Sequence, residues 1–270
     1  IGTNTSNAGA MFEYSGLSVM ASQNNTTVQI DANADSTYET TVVLQEGGST
    51  LVGNIQQGAR VLADKPVQVL LVTGDIGSYY ATRDMSLLPV SKYGSSYWSP
   101  VGVNTDNDDN VDTGPTRLFL YNPSSNGNIY ITCERLSPSP TTVTQAVSSR
   151  GVVTVDLWDN SGAHCYASNS SGVATNDPIF AIGTVDTDGR AWDWSFTLFP
   201  DGFLTTEALV GLGLGRDPTY DGDRNNENGS PLWVTTVCSE GTYVYVDWNN
   251  DGVADPVDTN GDGTAESGSQ

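Results

Sequence analysis

Pro66-Val67-Gln68-Val69-Leu70-Leu71-Val72-Thr73 is the stretch on which the fold turns. Six apolar or β-branched residues stand in one short run, with no 3.6-residue period, so the run reads as a buried strand rather than a helix. Proline at its head suits the first residue of a strand. The same signature returns at Pro178-Ile179-Phe180-Ala181-Ile182-Gly183-Thr184. Shorter runs surround both: Leu17–Ala21, Thr26–Asp31, Tyr38–Leu44 and Gly58–Leu62 before the first, then Met85-Ser86-Leu87-Leu88-Pro89 after it. Around the second lie Leu118–Tyr121, Ile129–Cys133, Thr141–Gln145, Gly151–Val155 and Trp194–Pro200. Each run is bounded by Gly, Asn, Asp or Ser, and the order of elements repeats, with Gly58–Leu62 matched to Gly151–Val155.

The expectation is an all-β chain: two related β-sandwich units in tandem, a C-terminal strand pair and calcium loops. Residues 1–10 read as an N-terminal arm, 11–112 as the first sandwich and 113–246 as the second. The second includes a strand pair at 232–246, from Leu232–Val237 and Thr242–Val246, and 247–270 is a loop segment. Leu204–Leu209 could hold one helical turn at most. The chain opens at Ile1 without an initiator Met and ends in the polar run Glu266–Gln270, so it reads as a processed or trimmed product.

Composition narrows the function. Thirty-two acidic residues stand against 10 basic ones, a formal charge of -22. That balance speaks against nucleic acid and anionic membrane as partners, since both need Lys and Arg. No apolar run is long enough for a membrane span. Twelve Tyr, 6 Trp and 6 Phe are too many for a disordered acidic chain. The sequons at Asn4, Asn24, Asn25, Asn169 and Asn228 fit a glycosylated exported protein. With three cysteines, Cys133, Cys165 and Cys238, a disulfide is the better reading than a zinc site, and Cys133–Cys165 is the first choice.

Calcium is the expected cofactor. Asp247, Asn249 and Asp251 alternate ahead of Gly252, with the Val253 carbonyl, Asp255 and Asp258 following at the seventh, ninth and twelfth positions. This spacing folds oxygen ligands around one point. Asp258 opens a second copy with Asn260, Asp262, Gly263 and Glu266. The lead-in Tyr243–Val246 is strand-like and Pro256 blocks an exit helix, so the loops differ from an EF-hand. Weaker candidates are Asp106, Asp108, Asn110 and Asp112; Asp221, Asp223, Asn225 and Glu227; and Asp186 and Asp188 with Asp193.

His164 is the only histidine, which argues against Ser-His-Asp hydrolysis and multi-histidine zinc chemistry. A carboxylate pair for glycoside hydrolysis needs no histidine. Tyr79, Tyr80, Tyr97, Trp98, Trp158, Trp192 and Trp194 could line a sugar platform, although Trp is more often largely buried.

Gly58–Tyr97, with Ala63–Val69, Leu87-Leu88-Pro89 and Gly94–Tyr97, resembles the N-terminal domain type named after the IgG-Fc-binding protein. Trp192–Gly215 and Asn228–Val234 are similar to modules of the same large bacterial and archaeal surface proteins. The resemblance implies β-sandwiches and a surface role, and it carries no catalytic residue. The expected function is a non-enzymatic extracellular or cell-surface structural protein, a calcium-stabilised surface-layer, stalk or filament subunit. Its partners would be other copies of itself, other surface proteins, or a glycan. The alternatives are a carbohydrate-binding module and a glycoside hydrolase. Self-association is expected through the unfinished strand pair at 232–246 or the arm Ile1–Ala10.

Overall fold

A computed structural model describes residues 2, 11–74, 76, 82–100, 116–135, 140–157, 161–185, 194–209, 234–237, 242–247 and 251–254. Fifteen strands alternate with turns. They are β1 (Tyr14–Ala21), β2 (Thr26–Asp31), β3 (Thr40–Leu44), β4 (Ser49–Gly53), β5 (Arg60–Ala63), β6 (Val67–Gly74), β7 (Arg83–Ser86) and β8 (Ser96–Ser99). After them come β9 (Thr116–Tyr121), β10 (Ile129–Arg135), β11 (Thr141–Val147), β12 (Val152–Leu157), β13 (Ala163–Ser168), β14 (Phe180–Val185) and β15 (Trp194–Thr197). The described helices are two 3-10 turns, Val90–Lys92 and Asp201–Phe203. Leu204–Leu209 carries no helix; the turn comes just before it, where Pro200 presets φ for the first position.

The strands form four antiparallel sheets whose pairing repeats. The first half has the orders β4-β1-β6-β7 and β3-β2-β5, and the second has β12-β9-β14-β15 and β11-β10-β13-β8. So β1 to β7 correspond in sequence order to β9 to β15. Each seventh strand is followed by a proline that opens a 3-10 turn, Pro89 O accepting from Lys92 N and Pro200 O from Phe203 N, both at 2.8 Å. The expected match of Gly58–Leu62 with Gly151–Val155 is corrected: β12 answers to β4, and β5 answers to β13. Ser49–Gly53 and Ala163–Ser168 are short and half polar, so neither stands out as an apolar run.

Alternation buries Leu17, Val19, Val28 and Ile30 between the two sheets of the first half. Leu118, Leu120, Ile131, Cys133, Cys165 and Ala181 fill the second. Cys133 and Cys165 lie opposite each other on β10 and β13 and are disulfide-bonded. The halves share apolar packing as well. Phe119, Phe180 and Ile182 use the other face of their sheet to join Met11, Phe12, Leu71 and Met85 in the first core. All six residues of β14 are therefore buried. Phe12 meets Phe119 edge-on at 5.1 Å, and Tyr93 stacks on Phe180 at 5.0 Å. Burial there pushes the Tyr93 phenol up to about 12.

Two departures concern the expected boundaries. β8 falls within the expected first sandwich, yet it pairs with β13 of the second half. Of the expected strand pair at 232–246 the described residues are Val234–Val237 and Thr242–Val246, in which Val246 forms a β-bridge. Val234, Tyr243 and Tyr245 are exposed. The chain divides into two compact units, Ile1–Trp233 and Val234–Gln270. No described helix is long and apolar enough to cross a membrane.

Gly183 faces Phe196 across β14 and β15, and a Cβ at Gly183 would run into the Phe196 ring. Gly183→Val is expected to lower stability by about 1–3 kcal/mol through overpacking. The check is the denaturant midpoint, which falls with an unchanged slope; an unchanged midpoint refutes the packing account.

Candidate metal centre

The described carboxylates converge at the end of β2. Asp31, Asp35 and Glu39 each offer an oxygen, and the three oxygens lie within 4.8 Å of one another, a group that could hold a metal ion. Asp31 is the last residue of β2 and only 1% exposed. Its Oδ2 accepts the Ser36 N–H at 2.9 Å, while its Oδ1 is buried with no hydrogen-bond partner. A buried carboxylate oxygen left without a partner is costly. Asp35 Oδ1 accepts the Thr37 N–H at 2.7 Å, and that bond holds the Asp35 carboxyl below its usual range. Glu39 Oε2 accepts the Ala32 N–H at 2.8 Å. One buried and two exposed acids thus share a loop, and a cation would offset their mutual repulsion.

The sequence reading passed over this loop, although its signal was present. Asp31, Asn33 and Asp35 alternate, with Glu39 at the ninth position, which is calcium-loop spacing. Ser36 stands where such loops carry Gly, and it adopts φ +77. The tail loop that the sequence did single out has the same internal scheme. Gly252, at φ +83, donates its N–H to Asp247 Oδ2 at 2.8 Å, and Val253 N–H bonds Asp251 Oδ1 at 2.8 Å. Asp247, Asp251 and Val253 therefore share one turn. Asn249, Asp255, Asp258, Asn260, Asp262 and Glu266 lie outside the described residues. So do Asp106, Asp108, Asn110, Asp112, Asp186, Asp188, Asp193, Asp221, Asp223, Asn225 and Glu227, and the sequon residues Asn4 and Asn228. Asn24, Asn25 and Asn169 are exposed in turns.

The Asp31 loop also touches the second half. Arg150, in the β11–β12 turn, donates from Nη1 to Ala34 O at 3.0 Å, and its own carbonyl accepts Gln57 Nε2 at 2.7 Å.

A second polar cluster lies on the sheet face opposite the disulfide. Trp98, His164 and Glu134 are cross-strand neighbours on β8, β13 and β10. Trp98 stacks on His164 at 4.1 Å, and His164 meets Tyr166 at 4.9 Å. Ser96 Oγ is 2.8 Å from His164 Nε2, and Glu134 Oε2 is 3.6 Å from Nδ1. Tyr166 OH donates to Glu134 Oε1 at 3.1 Å. Burial, then the bond to Glu134 and its charge, pushes the Tyr166 phenol up. With Ser95, Ala174 and Thr175, these polar residues line a pocket of about 240 Å³. One histidine thus suffices to bring a hydroxyl, an imidazole and a carboxylate into line, an order that composition alone could not reveal. The 3.6 Å separation at Nδ1 is too long for a hydrogen bond, and Ser96 sits in a regular strand. Of the expected sugar platform, Tyr79, Tyr80, Trp158 and Trp192 lie outside the described residues, and Tyr97 is fully buried.

Comparison of the chain with protein-family models, with curated proteins and with solved structures gives no match.

Calcium at about a hundredfold excess over its dissociation constant stabilises a folded form by about 2.7 kcal/mol. For a domain of this size that corresponds to about 5–11 °C in Tm. Chelation should reverse the shift, and Asp31→Ala should abolish it. Asp251→Ala should leave it intact while exposing the chain after Val246 to protease. Equal melting with and without chelator would rule out the site.

Proposed function

We propose that this protein is a non-enzymatic, calcium-stabilised structural subunit of an extracellular surface layer, stalk or filament. The observation that carries the reading is the Asp31 loop, where three carboxylates could hold a metal ion and Asp31 keeps a buried oxygen without a hydrogen-bond partner. An all-oxygen donor set on a loop suits a hard cation of high coordination number, and calcium fits better than magnesium, which demands stricter geometry. The loop is gripped by Arg150 of the other half, so a cation that orders it also stiffens the junction. The disulfide supports an oxidising compartment. The exposed sequons and the resemblance of Gly58–Tyr97 to IgG-Fc-binding-protein-type domains support a surface role. Self-association follows from a chain of repeated sandwiches with open sheet edges.

A second reading, a carbohydrate-binding module, is favoured by the half-buried Trp98 beside the Ser96–His164–Glu134 pocket. Sedimentation and electron microscopy of the native chain separate the two. Linear assemblies that form with calcium and dissolve on chelation support the structural reading. Monomers that bind a neutral oligosaccharide and lose it in Trp98→Ala support the other. Labelling of Ser96 by a fluorophosphonate would refute the non-enzymatic assignment.

A further inference from the structure

We propose that the outer edge of β5 accepts a strand from a second copy of this chain, donated by the segment Leu204–Leu209 that follows the turn Asp201–Phe203. The proposal deepens the self-association reading above and rests on it. It comes from a contact the chain already makes within itself. After the turn Val90–Lys92, β8 leaves the first half and adds to β13 of the second, with Ser96 opposite Tyr166 and Tyr97 opposite Cys165. Tyr97 is 0% exposed, and its hydroxyl donates to Ile179 O at 2.6 Å. Beside it Cys165 and Ala167 are fully buried. The added strand closes the core.

The first half lacks that strand among the described residues. Its sheet is β3-β2-β5, three strands where the second half has four. Val28 faces Ala63 as Ile131 faces Ala167, so Val61 and Ala63 hold the positions of Cys165 and Ala167. Yet both are only half-buried. Their backbone groups are also turned outward. Asp64 N–H bonds Thr27 O, so in an antiparallel ladder Arg60 and Leu62 bond β2, while Val61 and Ala63 point N–H and C=O away. Such an edge is a template for strand addition.

The donor follows from the duplication. β8 begins four residues past Lys92, and the matching position past Phe203 is Glu207. Leu204–Leu209 is exposed throughout, and Leu209 is 90% exposed. In the matched register Glu207 lies opposite Leu62, diagonal to Arg60, and Ala208 faces Val61. The first half hands its strand to the second, so the second hands its own to the next copy. That contact is heterologous and builds a filament unless the rotation closes a ring.

Hydrogen exchange with a synthetic peptide of residues 204–209 at millimolar concentration tests the edge directly. Exchange at the Val61 and Ala63 amides should slow about tenfold. In calcium, Ala208→Asp, at the position that matches the core-facing Tyr97, and Val61→Pro should each sediment as monomers, and their mixture should stop at a heterodimer. Ala208 is too exposed to unfold the monomer when changed, and Val61→Pro removes no bond to β2, which a melting curve checks. Wild-type assemblies that survive both substitutions overturn the edge assignment alone. A monomeric wild type whose Val61 and Ala63 amides stay unprotected by peptide overturns it together with the self-association reading.

Discussion

The central strands β9 and β14 of the sheet β12-β9-β14-β15 are buried on both faces, and the arrangement of the described halves depends on them. Leu118, Leu120 and Ala181 serve one core, while Phe119, Phe180 and Ile182 serve the other. Neither half can change its packing without disturbing a sheet that the other half also uses. This is why a duplicated chain, whose halves read as two sandwiches, behaves as one compact unit from Ile1 to Trp233. Gly183 leaves no room for a larger residue in that sheet, because the Phe196 ring occupies the space a side chain would need.

Duplication also makes inequivalence visible. The two halves agree strand by strand through seven strands and a proline-led turn, so any difference between them needs a cause. Cys165 and Ala167 are buried because β8 lies beside them; Val61 and Ala63 keep partial exposure because no described strand does.

The Asp31 loop and the Asp247 turn reach the same hydrogen bonding by different local means. Gly252 enters positive φ without steric cost, whereas Ser36 does so against its Cβ. Asp31 can hold that loop because β2 fixes it within a sheet and buries it. A cation held at the Asp31 loop would be connected to the core through β2, which an exposed turn does not offer.

From the sequence alone, the all-β class and the apolar strands were legible. They depend on local pattern: β-branched runs, turn residues, and prolines at Pro66, Pro89, Pro178 and Pro200. Cys133–Cys165 was one choice among three cysteines, and the register of β10 against β13 decided it. The alternating acids at Asp31 carry the same local signal as those at Asp247, with Ser36 in place of the glycine. Only the tertiary structure decided which sheet β8 joins and which face of β9 and β14 meets which core. It alone brought Ser96, His164 and Glu134 together. Those facts join residues tens of positions apart, and their energy comes from burial, which no local window contains.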